Sequence, residues 1–119
     1  MSNTGIVFKI CTRSAWQDAA GTGHFLGSAD DVRDGFIHLS TAEQLAGTVA
    51  KHFRGMPDLL LVAIDGNALG SALRWEPSRG GVLFPHLYAP LAVAVARAVY
   101  PLALDGDGLP VLPEDFDRC

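Results

Sequence analysis

Three short stretches and one strand lysine concentrate the side chains of this chain that can do chemistry. In GFIHLST, His38 interrupts an apolar run and Ser40 follows two residues later. At strand spacing the two share a face, and they stand beside the start of a helix, where backbone N–H groups favour anions. A buried imidazole must find hydrogen-bond partners. The plain reading is therefore a core histidine tied to a carbonyl or hydroxyl. The sharper reading has His38 and Ser40 presenting a donor and a hydroxyl to a ligand.

In RWEPSRGG, Arg74 and Glu76 share a strand face and Pro77 ends the strand. Arg74, Glu76 and Arg79 then form either a structural ion-pair cluster or one wall of an anion site. In the second case an arginine supplies the planar fork that suits phosphate, and Gly80-Gly81 lets the backbone approach closely. In FPHLY, His86 follows a proline and lies between Phe84 and Tyr88, which serve as core residues or as a stacking platform. An imidazole titrates near neutral pH, so His38 and His86 are candidate acid–base groups, with Glu76 the carboxylate beside them. Lys9 lies in IVFKIC, where alternation puts Ile6, Phe8 and Ile10 on one face and Val7, Lys9 and Cys11 on the other. A metal site would need three of His38, His52, His86 and Glu76 around one point, but no HxH or HExxH spacing supports it.

The elements that must hold these residues are legible in part. Thr12 or Ser14 caps a short helix, AWQDAA, that Gly21 ends, and SADDVR reads as a helical turn. Asp34-Gly35 turns the chain into a strand from Phe36 to Leu39. Ser40-Thr41-Ala42-Glu43 fits a capping box. The helix it opens carries Ala42, Leu45, Ala46, Val49, Ala50 and Phe53 in one apolar stripe and stops at Gly55 and Pro57. Leu59 to Asp65 reads as a central strand, with further strands at Leu73 to Glu76 and Ala94 to Leu102. Asp105 to Gly108 makes a turn, and the tail after about residue 113 is expected to be poorly ordered. The order β-α-β-α-β-β-β does not alternate strictly, which points to an α+β domain with a mixed or antiparallel curved sheet.

Composition bounds the function. The 119 residues suit a single domain, and with 49% hydrophobic and 18% charged residues the chain should fold alone. A net charge of -4 argues against nucleic acid as a surface partner. The N-terminus has no signal-peptide pattern and no apolar run reaches 18 residues, so a cytoplasmic location off the membrane is expected. Cys11 and Cys119 do not make a disulfide framework or a thiolate metal site, and Cys11 reads as a small apolar strand residue.

GFIHLSTAEQ, KHF, LRWEPSRGG and LFPHLY, in that order, resemble the small bacterial family known as domain of unknown function 952, over Ile6 to about Pro113. That family looks like a member of the ADP-ribosyltransferase-like fold, whose enzymes bind NAD in a cleft between two small, roughly perpendicular sheets with flanking helices. DGFIHLST is also similar to a His-Leu-Ser segment of RNA 2'-phosphotransferases. The resemblance implies His38 and Ser40 as site residues and NAD as a ligand. This chain departs from such enzymes in two places, with Lys9 where they carry Arg or His and no carboxylate in Gly81 to His86, Glu76 being the nearest. The expectation is a cleft lined by Lys9, His38, Ser40, Arg74, Glu76, Arg79, His86 and Tyr88 that takes a small anionic or nucleotide-derived ligand for ribosyl or phosphoryl chemistry. The alternatives are a non-catalytic binding or scaffold domain and a histidine metal site.

Overall fold

The computed structural model describes residues 5–114 and 116. It is an α+β assembly of small antiparallel sheets and several helices. The chain runs β1 (Ile6–Thr12), α1 (Arg13–Thr22), β2 (His24–Phe25), α2 (Ala29–Asp34), β3 (Ile37–His38), α3 (Leu45–His52), β4 (Leu59–Asp65), β5 (Leu73–Pro77), β6 (Leu83–Leu87), β7 (Leu91–Ala92) and β8 (Ala96–Leu102). One sheet has the order β1-β4-β8, a second β3-β6-β5, and β2 pairs with β7.

The first sheet is covered on both faces, which is why β4 is apolar from Leu59 to Ile64. Phe8, Ile10, Leu59, Leu61 and Ala63 point towards α3 and meet Leu45 and Val49. Val7, Cys11, Leu60, Val62 and Ile64 point the other way, into a cluster completed by Trp16 of α1 and by Ile37, Leu39 and Leu87 of the second sheet. The second sheet therefore turns one face to the core. By the two-residue period its other face carries Phe36, His38, Arg74, Glu76, Phe84, His86 and Tyr88. The sheets are joined where Phe8 and Ser40 exchange backbone bonds, Phe8 N–H to Ser40 O at 2.8 Å and Ser40 N–H to Phe8 O at 2.9 Å.

That bridge moves a helix start. Ser40 is committed to extended pairing, so Thr41 takes the cap, its hydroxyl accepting from Gln44 N–H while the Gln44 side chain accepts from Thr41 N–H. The box is thus Thr41 with Gln44, not Ser40 with Glu43, and a 3₁₀ turn over Ala42–Gln44 leads into α3. The stripe is also narrower than the periodicity implies, because Ala46 and Ala50 are exposed and Phe53 is only half-buried. Accordingly Phe53→Ala is expected to cost about 1–2 kcal/mol, below the range for a fully enclosed phenylalanine, in denaturant unfolding. A cost above that range would mean that Phe53 closes the core.

Elsewhere, α1 is capped by Thr12 and ended by Gly23 rather than Gly21. The stretch LFPHL forms β6, a central strand that strand patterning does not reveal. The Gly80-Gly81 pair adopts positive φ (68° and 79°) in the turn from β5 to β6, which accounts for both glycines without a ligand. Asp105 caps the turn that follows β8 through bonds from the N–H groups of Asp107 and Leu109. Of the C-terminal tail, Phe116 packs edge-on against Phe8 at 5.4 Å. Asp115 and Asp117–Cys119 lie outside the described residues.

Candidate functional site

The polar face of the second sheet carries two histidines, each held by a carboxylate. His38 and His86 are direct cross-strand partners on β3 and β6, with ring centroids 5.7 Å apart. Phe36 lies against both rings, stacked on His86 at 4.1 Å and tilted against His38 at 4.6 Å.

His38, its side chain 37% exposed, stands at the edge of a buried ion network. Its Nδ1 lies 2.6 Å from Asp31 Oδ1, and its backbone N–H donates to the same oxygen at 3.1 Å. The other Asp31 oxygen takes Lys9 Nζ at 2.8 Å and the N–H of Ser28 at 2.9 Å. Lys9 Nζ also donates to the His38 carbonyl at 3.2 Å. Lys9 and Asp31 have side chains only 6% and 2% exposed, so the fold has brought two opposite charges out of water together. Burial opposes ionisation of Asp31. The bond from His38, the charge and bond of Lys9 and the Ser28 amide outweigh it, holding the carboxyl well below the usual carboxylate range. Burial pushes the neighbouring Cys11 thiol up to about 11, against the pull of Lys9, which makes it inert.

Nε2 of His38 lies 2.9 Å from Asp34 Oδ2. With a carboxylate on each ring nitrogen, both bonds form together only when both nitrogens carry a proton. Asp34 itself is held below the usual carboxylate range, first by its bond from Arg33.

The second histidine is arranged through diagonal cross-strand contacts. Arg74 is opposite His86, and Glu76 is opposite Phe84. Glu76 Oε1 reaches diagonally to His86 Nδ1 at 2.8 Å and also accepts from the Tyr88 hydroxyl at 2.7 Å. These two bonds lower the Glu76 carboxyl, and the bond to Glu76 raises the Tyr88 hydroxyl. The Arg74 guanidinium lies over the Tyr88 ring at 4.8 Å and acts on Glu76 through its charge. Glu76 thus takes His86 and Tyr88 as hydrogen-bond partners. Nδ1 of His86 is thereby committed to Glu76, and the His86 side chain is only 7% exposed.

A concavity of about 240 Å³ opens beside this face. Lys9, Asp31, Asp34, His38, Ser40 and Arg33 are among its lining residues. The Ser40 hydroxyl is 3.1 Å from the Thr48 hydroxyl of α3, so it is oriented by that helix. A second groove, which Asp31 also lines, takes in Phe36 and Tyr88. Lys9, His38 and Ser40 therefore share one wall, while Arg74, Glu76, His86 and Tyr88 form a second set joined to it through the Phe36 and His38 rings. The side chain of Arg79 lies outside the described residues. Among the described residues no group of three His, Cys, Asp or Glu side chains is arranged to hold a metal, and no helix is long and apolar enough to cross a membrane.

Sequence reading missed Asp31, Asp34, Arg33 and Phe36. A signal for Asp31 was present. Ser28-Ala29-Asp30-Asp31 is itself a capping box, and the same Asp31 carboxylate that accepts from Ser28 N–H holds Lys9 and His38.

A model of the protein family of unknown function DUF952 matches residues 10–99. The chain belongs to the DUF952 family. Protein CC0527 from Caulobacter crescentus is a solved relative of this DUF952 chain. Its X-ray crystal structure is 50% identical to this chain, with 90% of this chain and 94% of that one covered and a TM-score of 0.88. The solution NMR structure of CC0527 is 46% identical, covers 96% of each chain and gives a TM-score of 0.80. Among curated proteins, no match to the chain is found. The DUF952 match spans β1 from Ile10 through most of β8, so every described member of the two histidine clusters except Lys9 falls inside it.

Proposed function

We propose that this DUF952 chain binds a nucleotide-derived, ribose- or phosphate-bearing ligand across the paired histidines and uses them as proton donor and acceptor in a ribosyl or phosphoryl transfer. The observation that carries this reading is the juxtaposition of Asp31–His38 and Glu76–His86, two carboxylate-oriented imidazoles side by side on adjacent strands. Acid–base catalysis needs one group that gives a proton and one that takes it. His38, bonded at both nitrogens to carboxylates, is the donor. His86, with Nδ1 fixed by Glu76, is the acceptor. Ser40 orients the ligand. Lys9 gives two of its three ammonium hydrogens to Asp31 and the His38 carbonyl, and the third is assigned to the ligand.

An ADP-ribosyl compound such as NAD suits this donor set in chemistry. Glu76 would accept from ribose hydroxyls and Arg74 would meet a phosphate, while His38 and His86 hold and move the proton. The likeness of the motifs to ADP-ribosyltransferase-like enzymes supports the choice of NAD and ADP-ribose as probes.

The test is an NMR titration of the two histidine rings with NAD, ADP-ribose and a nucleoside 2'-phosphate, paired with thermal melting. Binding should shift both ring signals and raise the melting temperature in the wild type, and His86→Gln should retain the fold while abolishing product formation. If no probe moves either ring at millimolar concentration, the reading is wrong. Binding without turnover would leave a non-catalytic binding domain, the reading favoured by the complete pairing of Asp31.

A further inference from the structure

The concavity already contains an anion of its own. Asp34, the last residue of α2, is gripped by the guanidinium fork of its neighbour, with Arg33 Nε to Oδ1 at 2.8 Å and Nη2 to Oδ2 at 3.2 Å. Its Oδ2 also faces His38 Nε2 at 2.9 Å. A planar fork on one side and a ring N–H on the other is the arrangement in which proteins hold a bound carboxylate or phosphate. The remaining Arg33 contact is Nη1 to Asp30 Oδ1 at 3.2 Å.

Asp34 differs from Asp31 in what holds it. Asp31 is buried and fixed by Lys9, by Nδ1 and the backbone N–H of His38, and by the Ser28 amide. Asp34 has a side chain about a third exposed, and its partner Arg33 is two-thirds exposed. Exposed ion pairs of this kind hold weakly. Asp34 is therefore the more weakly held of the two carboxylates.

We propose that Arg33 and His38 form an oxyanion subsite for a phosphate group, in which the Asp34 carboxylate is an internal stand-in that the ligand displaces. The subsite deepens and rests on the preceding reading, since it would seat a second phosphate of the same ligand, apart from the one assigned to Arg74. It also explains how a concavity with three aspartates in its wall accepts an anion. Asp31 is neutralised by Lys9, Asp30 shares Arg33, and Asp34 leaves.

The consequence has a definite sign. Removing the Asp34 charge should tighten phosphate binding, because it removes both a competitor and a like charge. The experiment titrates inorganic phosphate at constant ionic strength into the full chain, wild type, Asp34→Asn, Asp34→Ser and Arg33→Gln/Asp34→Asn, and follows the His38 ring and Arg33 Nε signals. Both single variants are expected to bind phosphate about tenfold more tightly than wild type, equivalent to about 1.4 kcal/mol, and the double variant to lose the gain. Affinities within about twofold of wild type in both single variants, or a gain that survives loss of Arg33, would overturn the subsite. Its failure and that of the preceding reading are separable. ADP-ribose moving both histidine rings with no tightening in Asp34→Asn removes the subsite alone. Tightening of phosphate with no nucleotide effect on His86 removes the transfer reading and leaves the subsite standing.

Discussion

Asp31→Ala is expected to cost about 3–5 kcal/mol of folding stability, the range for removing one partner from a buried ion pair. The loss comes from what remains. Lys9 would keep its charge in a site where its side chain is 6% exposed, with only the His38 carbonyl as acceptor among the described residues. His38 would lose the oxygen that meets both its ring and its backbone N–H. Urea unfolding of Asp31→Ala and Lys9→Met, together with Lys9→Met/Asp31→Leu, measures this. The double variant should be less destabilised than the sum of the singles, since no uncompensated charge is left in it. Strict additivity would mean that the two charges do not depend on one another.

The same carboxylate fixes a pH dependence. The folded-state pKa of Asp31 is depressed, so its contribution is fully present above the unfolded carboxylate value of about 4. It is lost as the pH falls below that value towards the depressed one. Wild type should therefore lose stability steadily in acid. Asp31→Asn, already weaker at neutral pH, should show a shallower slope over the same interval.

How much of this was legible in the sequence depends on whether a residue answers to one neighbour or to several. Helix α3 could be read because it buries one stripe at a single period, and strand β4 because burial on both faces leaves a continuous apolar run. β6 could not. A proline within an apolar run argues against a central strand, yet Pro85 sits in the middle of the second sheet opposite Trp75. The fold tolerates it at the end of β3. Leu39 N–H donates to Pro85 O at 3.0 Å. Pro85, lacking an N–H, returns nothing, and β3 stops at His38. The strands β2 and β7, two residues each, are too short for any period to register. His38 and His86 could be nominated as residue types, but their pairing rests on strand register, which no local pattern states. Asp31 is the instructive omission. Its capping role is local and was written in Ser28-Ala29-Asp30-Asp31, whereas its second role depends on Lys9, twenty-two positions earlier in the sequence.

Gly27→Ala is expected to be the most damaging of the single-methyl additions, for a reason that leads back to the same carboxylate. Asp31 reaches back to accept from Ser28 N–H, and this lays its side chain over the backbone of residue 27. A Cβ at Gly27 would stand 2.8 Å from Asp31 Cβ and 3.4 Å from its Oδ2. The φ of +116° adds backbone strain for any L-residue. Strain and overpacking together should cost about 2–5 kcal/mol. The site can relieve the clash only by shifting Asp31, which loosens its grip on Lys9 and His38. Gly27→Ala should then reproduce the shallow acid profile of Asp31→Asn and move the His38 ring signal. Gly21→Ala is the control, because Gly21 lies exposed within α1 with nothing within 4 Å of the added Cβ. There alanine should stabilise by about 0.5–1 kcal/mol through helix propensity and a less flexible unfolded chain. A Gly27→Ala protein that unfolds at the wild-type denaturant midpoint, with the His38 signal unmoved, would show that Asp31 is not rigidly fixed, and the orientation of His38 would need another cause.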